Sequence, residues 1–238
     1  MKIKNLKIFA STVLVGSILL TPVNALLENN TTIEETIYPD WLVLEENPKY
    51  VDELLEVIYN YPVDLVSLFE QRGMKIVLLG KNGILEDIYG LKRLKGMYSS
   101  SERVIYAETY TRSNIKNGYS YKKEVNKYTT EEFNVRVAKN TLLHELGHYF
   151  DLNTGIVSFY NAFKEIYLEE KDNFRKTREF LVENNKVEEN IANQNEYFAE
   201  AMTCYILYPE DLLEYCPKTY EVIVNHINEY NNQNTKTK

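Results

Sequence analysis

The chain has 238 residues with 27 Lys and Arg against 35 Asp and Glu, a formal charge of -8. An acidic surface of this kind excludes a nucleic-acid binder that works by neutralising phosphates. With 44% hydrophobic and 26% charged residues the chain falls outside both the disordered and the multi-span membrane classes, and its two cysteines cannot staple a disulfide scaffold. An apolar core must therefore hold the fold, in one globular unit.

Lys2, Lys4 and Lys7 precede an apolar run from Ile8 to Leu20, and Val23-Asn24-Ala25 follows with small residues. This pattern predicts a signal peptide over 1–25, hence an exported protein with no stable membrane association once it is cut. The run is short for a bilayer span, which takes about 20 residues. Cleavage would remove three Lys and no acid, leaving 213 residues of net charge -11. Residues 26–40 are polar, contain Asn29-Asn30-Thr31-Thr32 and show no period, so they read as a flexible leader. The domain is expected to span 41–232, with a polar tail over 233–238.

Asn47-Pro48 looks like a cap and first-turn proline for a helix over 48–60, and Pro62 opens a second that Gly73 ends. Met74–Leu79 is short and apolar between two glycines, which predicts a buried strand. Arg103–Tyr110 is a second strand candidate, and the polar segment 111–128, with Asn117-Gly118, reads as an exposed loop. From Thr129 the pattern turns helical. Thr129 and Glu132 could form a capping box, and Val135, Ala138, Leu142, Leu146 and Tyr149 share one face. Further helices are expected at 157–170, 173–183, 194–207 and 217–231. Mixed elements followed by helices alone make an α+β domain.

The helix from Thr129 contains His144-Glu145-Leu146-Gly147-His148. Residues four apart on a helix share a face, with Cβ atoms about 6 Å apart, so two imidazoles can converge on one zinc ion at about 2.0–2.1 Å. Glu145 lies to the side. There its carboxylate can take a proton from water activated by the metal and pass it to a departing amine. The chain holds three histidines, and shuffling would reproduce this arrangement in only about three sequences per thousand.

A catalytic zinc needs a third protein ligand and one open position. His226 is the only other histidine, so a carboxylate is the better choice. Glu196 and Glu200 lie four apart on one face of the helix expected at 194–207, with Glu196 in its first turn, where the helix dipole favours anions. Glu196 can ligate the metal, and Glu200 can accept a hydrogen bond from a ligand imidazole. The plainer alternative is a pair of solvated acids, but Ala199, Ala201, Met202 and neighbouring aromatics mark a tightly packed helix. Asp151, three residues past His148, is a further acceptor candidate for a ligand imidazole, or simply a residue at the helix end. Cys204 and Cys216 could pair outside the cell or stay as two buried thiols.

HELGHYFD (144–151), NEYFAEAM (195–202) and CPKTYEVI (216–223) together resemble the catalytic domain of the anthrax lethal factor family of zinc metalloproteases, whose small members include the secreted Pro-Pro endopeptidases. The stretch 73–98 is similar more weakly. The resemblance implies a zincin-like fold with a small sheet, an edge strand over the active-site helix and a helical C-terminal part. It implies one Zn²⁺ per chain held by His144, His148 and Glu196, with Glu145 as general base and Glu200 supporting a ligand. It also implies that an edge strand takes the substrate by strand addition. Arg103–Tyr110 would be that strand, with Tyr106 and Glu108 as substrate contacts.

Two positions depart from the family. Members usually carry a Tyr about seven residues before the ligand Glu, to stabilise the oxyanion, and this chain has Glu189 there. Tyr106, Tyr110, Tyr119 and Tyr121 are available substitutes. The Pro-Pro branch carries a Trp near its substrate-binding loop, and the one Trp here is Trp41. The expected protein is a secreted, monomeric zinc endopeptidase acting on proteins or peptides. The alternatives are a weak or inactive binding protein of the same fold, or a toxin component delivered by a partner.

Overall fold

Four short strands form one sheet whose spatial order departs from their order in the chain. The computed structural model describes residues 38–45, 47–80, 95–109, 130–177 and 191–235. Within them the strands are β1 (Leu42–Glu45), β2 (Lys75–Leu79), β3 (Gly96–Ser99) and β4 (Val104–Glu108). The sheet order is β1-β2-β4-β3. β2 runs parallel to both β1 and β4, with Ile76 opposite Leu42 on one side and Ile105 on the other, while β3 pairs antiparallel to β4. β2 is central and apolar on both faces, so it reads in sequence as a continuous hydrophobic run.

The sheet's two faces carry different clusters. Ile76, Leu78, Ile105 and Ala107 point into the main core, while Val77 and Leu79 pack on the opposite face with Met97 and Tyr106. The period of two along each strand sets this division. Helices α1 (Val51–Tyr59) and α2 (Leu65–Arg72) add Leu54, Ile58, Leu68 and Phe69 to the main core.

The C-terminal half is helical among the described residues: α3 (Thr130–Thr154), a 3-10 turn (Val157–Phe159), α4 (Asn161–Thr177), α5 (Gln194–Leu207), α6 (Pro209–Tyr215) and α7 (Pro217–Thr235). Tyr197, wholly buried on α5, sits among Phe163, Tyr167 and Phe174 of α4 with ring centroids 5.0–6.0 Å apart. Aromatic pairs at such distances add to what burial alone contributes. No helix among the described residues is long and apolar enough to cross a membrane.

Several boundaries differ from the expectation. Asn47 and Pro48 do not cap α1; both Asn47 and Tyr50 have positive φ, and Tyr50 leads into the helix without a side-chain cap. Pro62 does not open α2, because the Asp64 carboxylate takes the capping role three residues before Ser67 and accepts from its N–H at 3.0 Å. Gly73 ends α2 in the left-handed conformation as expected. α4 begins at Asn161 rather than 157 and runs unbroken through 173 to Thr177. α7 continues to Thr235, into the expected tail. The signal peptide, most of the leader, the capping box at Thr129, the loop 111–128, and Tyr110, Tyr119, Tyr121 and Glu189 lie outside the described residues.

Candidate metal centre

α3 presents three working stripes. Thr141, Glu145, Tyr149 and Asn153, four apart, face β3, as contacts to Gly96 and Tyr98 show. His144 and His148 face α5, and the remaining apolar residues fill the core. One helix thus carries the two imidazoles toward a second helix and the glutamate toward a strand.

Glu196 reaches the imidazoles because the start of α5 is held from two sides. The Asn193 side-chain oxygen accepts from the N–H groups of Asn195 at 2.9 Å and Glu196 at 3.1 Å. The Tyr167 hydroxyl lies 3.0 Å from the carbonyl oxygen of Ile191 and 3.2 Å from that of Ala192, within donating reach of both. Neither Asn193 nor Tyr167 was singled out from the sequence. Asn193 was legible as the polar residue just before a predicted helix, whereas Tyr167 acts on a loop 24 residues away and left no local signal.

Nε2 of His144 lies 3.1 Å from Nε2 of His148 and 3.2 Å from Oε2 of Glu196, and Nε2 of His148 lies 3.5 Å from the same oxygen. These three side chains form a group able to hold a metal ion. A tetrahedral zinc with bonds of about 2.0–2.1 Å would set donor-to-donor edges of about 3.3–3.4 Å, and the observed triangle brackets that value. Three lone-pair donors turned toward one point repel one another unless a proton or cation lies between them. The donor set therefore fits a divalent cation such as zinc. Beyond the triangle, Oε1 of Glu200 stands 3.1 Å from Nδ1 of His144, the ring nitrogen on the side away from the triangle. Burial acts to raise the Glu196 carboxyl, but the two imidazoles outweigh it and hold the group well below the usual carboxylate range.

Glu145 is buried beside the triangle. Burial lifts its carboxyl above the ordinary value, opposed by the nearby imidazoles and by the backbone N–H of Tyr98. Its placement depends on β3. The Glu108 N–H donates to the carbonyl of Lys95, so the antiparallel alternation turns the backbone groups of Gly96 and Tyr98 away from β4. β3 is the edge strand of the described sheet, and the face that carries Gly96 and Tyr98 lies against α3.

That arrangement corrects the expected substrate strand. β4 is paired on both sides, with β2 and β3, and cannot accept another strand. Tyr106 packs on the sheet face opposite the core, with Val77 and Leu79, and Glu108 shares that face by alternation. Both side chains thus stand on the face turned away from the main core that holds Leu142, Leu146 and Tyr149 of α3. Asp151 is a second correction. Its carboxylate accepts from the Ser158 N–H at 3.1 Å and the Ser158 hydroxyl at 2.5 Å, so it ties the end of α3 to the following turn rather than a ligand imidazole. Cys204 and Cys216 are both buried thiols not joined in a disulfide, with burial pushing the Cys216 thiol up to about 12.

Residues 26–226 match the family described as anthrax toxin lethal factor, N- and C-terminal domain. The chain belongs to that family. A search among curated proteins finds no match. The matched span contains His144, His148 and Glu196, the group able to hold a metal ion, together with Glu145. Two glycines of the lethal factor-like domain also bear on the site. Gly147 lets α3 approach the backbone of α5 at Ala199, and Gly96 lets Glu145 lie against β3.

Proposed function

We propose that this lethal factor-like protein is a secreted zinc endopeptidase, monomeric, that cleaves proteins or peptides. The observation that supports this reading best is the triangle of two imidazole nitrogens and a carboxylate oxygen with edges of 3.1, 3.2 and 3.5 Å, flanked by a buried glutamate. When bound, zinc supplies a Lewis acid that makes water nucleophilic at neutral pH and polarises a carbonyl oxygen. Glu145 takes the proton of the attacking water on its carboxylate and passes it to the leaving amine nitrogen. Glu200 keeps the His144 ring in its ligating orientation. The outward N–H and C=O groups of β3 hold the peptide backbone by strand addition, in place of the 103–110 segment.

The lysines and apolar run of 1–25 support export, and appearance in culture medium of a chain beginning at Leu26 tests it. The reading of a weak or inactive binding protein draws support from Glu189, which stands where relatives carry an oxyanion-stabilising tyrosine. Losing one such donor costs about 2.7–4 kcal/mol in the transition state, a slowing rather than an abolition. Turnover separates the two. The purified protein is incubated with a diverse peptide library and products are identified by mass spectrometry. Cleavage that stops with a chelator and in Glu145→Ala supports the protease; one bound zinc without cleavage supports the binding protein.

A further inference from the structure

We propose that Gly96 is a positioning residue for Glu145: the missing side chain leaves a gap on the face of β3 that the glutamate arm fills, and any substituent there displaces it. A Cβ built on Gly96 would stand 2.6 Å from Oε1 and 2.8 Å from Cγ of Glu145, and 2.9 Å from Cγ2 of Thr141. Ordinary contact begins near 3.4 Å, so the carboxylate would have to move by at least about 0.8 Å. It has little freedom to do so, since Glu145 is 8% exposed and Thr141 stands one helical turn behind it.

Backbone conformation does not explain the glycine. Gly73 and Gly155 have positive φ among the described residues, whereas Gly96 lies in regular paired strand opposite Ala107. Glycine inside a strand weakens it and commonly marks a close approach by another group. Here that group is the Glu145 side chain, whose Oε1 and Cγ both crowd the position a Cβ would take. The strand whose free edge receives substrate backbone in the proposed reading therefore also sets, through its face, where the proton acceptor sits. This inference rests on Glu145 being the base for its catalytic consequence, and on the contact alone for its structural one.

The test is a set of variants: Gly96→Ala in the native chain, in Glu145→Ala and in Thr141→Ser. Each is measured for zinc content, thermal unfolding with and without zinc, and steady-state peptide cleavage. The native-background variant is expected to keep one zinc per chain, lose kcat by about 100-fold and change KM much less. Its fall in Tm should shrink by about half or more when Glu145 is already Ala, and partly in Thr141→Ser. If Gly96→Ala does not fold alone but folds with Glu145→Ala, the inference is supported. An equal fall in Tm in all backgrounds, or zinc loss in proportion to activity, overturns it. The thermal comparison needs no substrate, so failure of the protease reading and failure of the Gly96 contact remain distinguishable.

Discussion

Gly147→Ala perturbs the spacing between the two helices that share the metal site. A Cβ at 147 would lie 2.8 Å from Cα, 3.0 Å from O and 3.3 Å from C of Ala199. All three are backbone atoms, so no rotamer change can yield space. Restoring ordinary contact near 3.4 Å separates α3 from α5 by about 0.6 Å locally. His144 and His148 travel with one helix and Glu196 with the other, so the 3.2 and 3.5 Å edges widen while the 3.1 Å edge does not. Metal bonds tolerate only about 0.2 Å, so the carboxylate is the ligand that loosens. The expected loss in zinc affinity is about 10–100-fold, with a stability cost of about 1–3 kcal/mol in the metal-free protein. Competition against a chromophoric chelator measures the first and urea unfolding the second. Ala199→Gly should give no rescue, because the clash is with main chain. A Gly147→Ala protein that folds and binds zinc with native affinity would refute this reasoning.

Glu145→Ala should retain zinc while losing about 100-fold or more in kcat, read from metal analysis beside peptide turnover. Asp151→Ala should lower stability by about 1.5–3 kcal/mol through the lost Ser158 bonds yet leave zinc affinity unchanged, as chelator competition would show. Burial lowers the pKa of His226, with Asp151 and Glu229 opposing. The folded state thus disfavours the charged ring, and stability should decline as pH falls from the unfolded value of about 6.5 through the lower folded one. Urea unfolding between pH 5 and 8 should show that decline, flattened in His226→Gln.

The metal centre was legible because its chemistry is local. His144 and His148 are one helical turn apart, which spacing shows, and Glu196 opens a helix whose apolar neighbours mark it as packed, which composition shows. What faces what across the sheet was not legible. β3 is four residues, Gly-Met-Tyr-Ser, with a glycine at its start and no alternating pattern, so nothing local marks it as the edge. Val104–Glu108 carries a stronger strand pattern because it is an interior strand, and that strength made it the wrong choice for substrate. β1 and α6 escaped for a similar reason, at four and seven residues, too short to show a period. Asp151 looked like a partner for an imidazole three residues back, yet helix geometry points it toward the next turn, where Ser158 competes successfully. Gly96 and Gly147 matter through atoms 49 and 52 residues away in sequence, Glu145 and Ala199, so their role becomes visible only with the fold.

The most direct measurement is zinc stoichiometry by elemental analysis on the native protein and Glu196→Ala, after dialysis against metal-free buffer. One zinc per native chain is expected, with most of it lost in the variant, whose fold is retained by circular dichroism. A native protein that holds no zinc, or a Glu196→Ala protein that holds it as tightly as the native one, would contradict it.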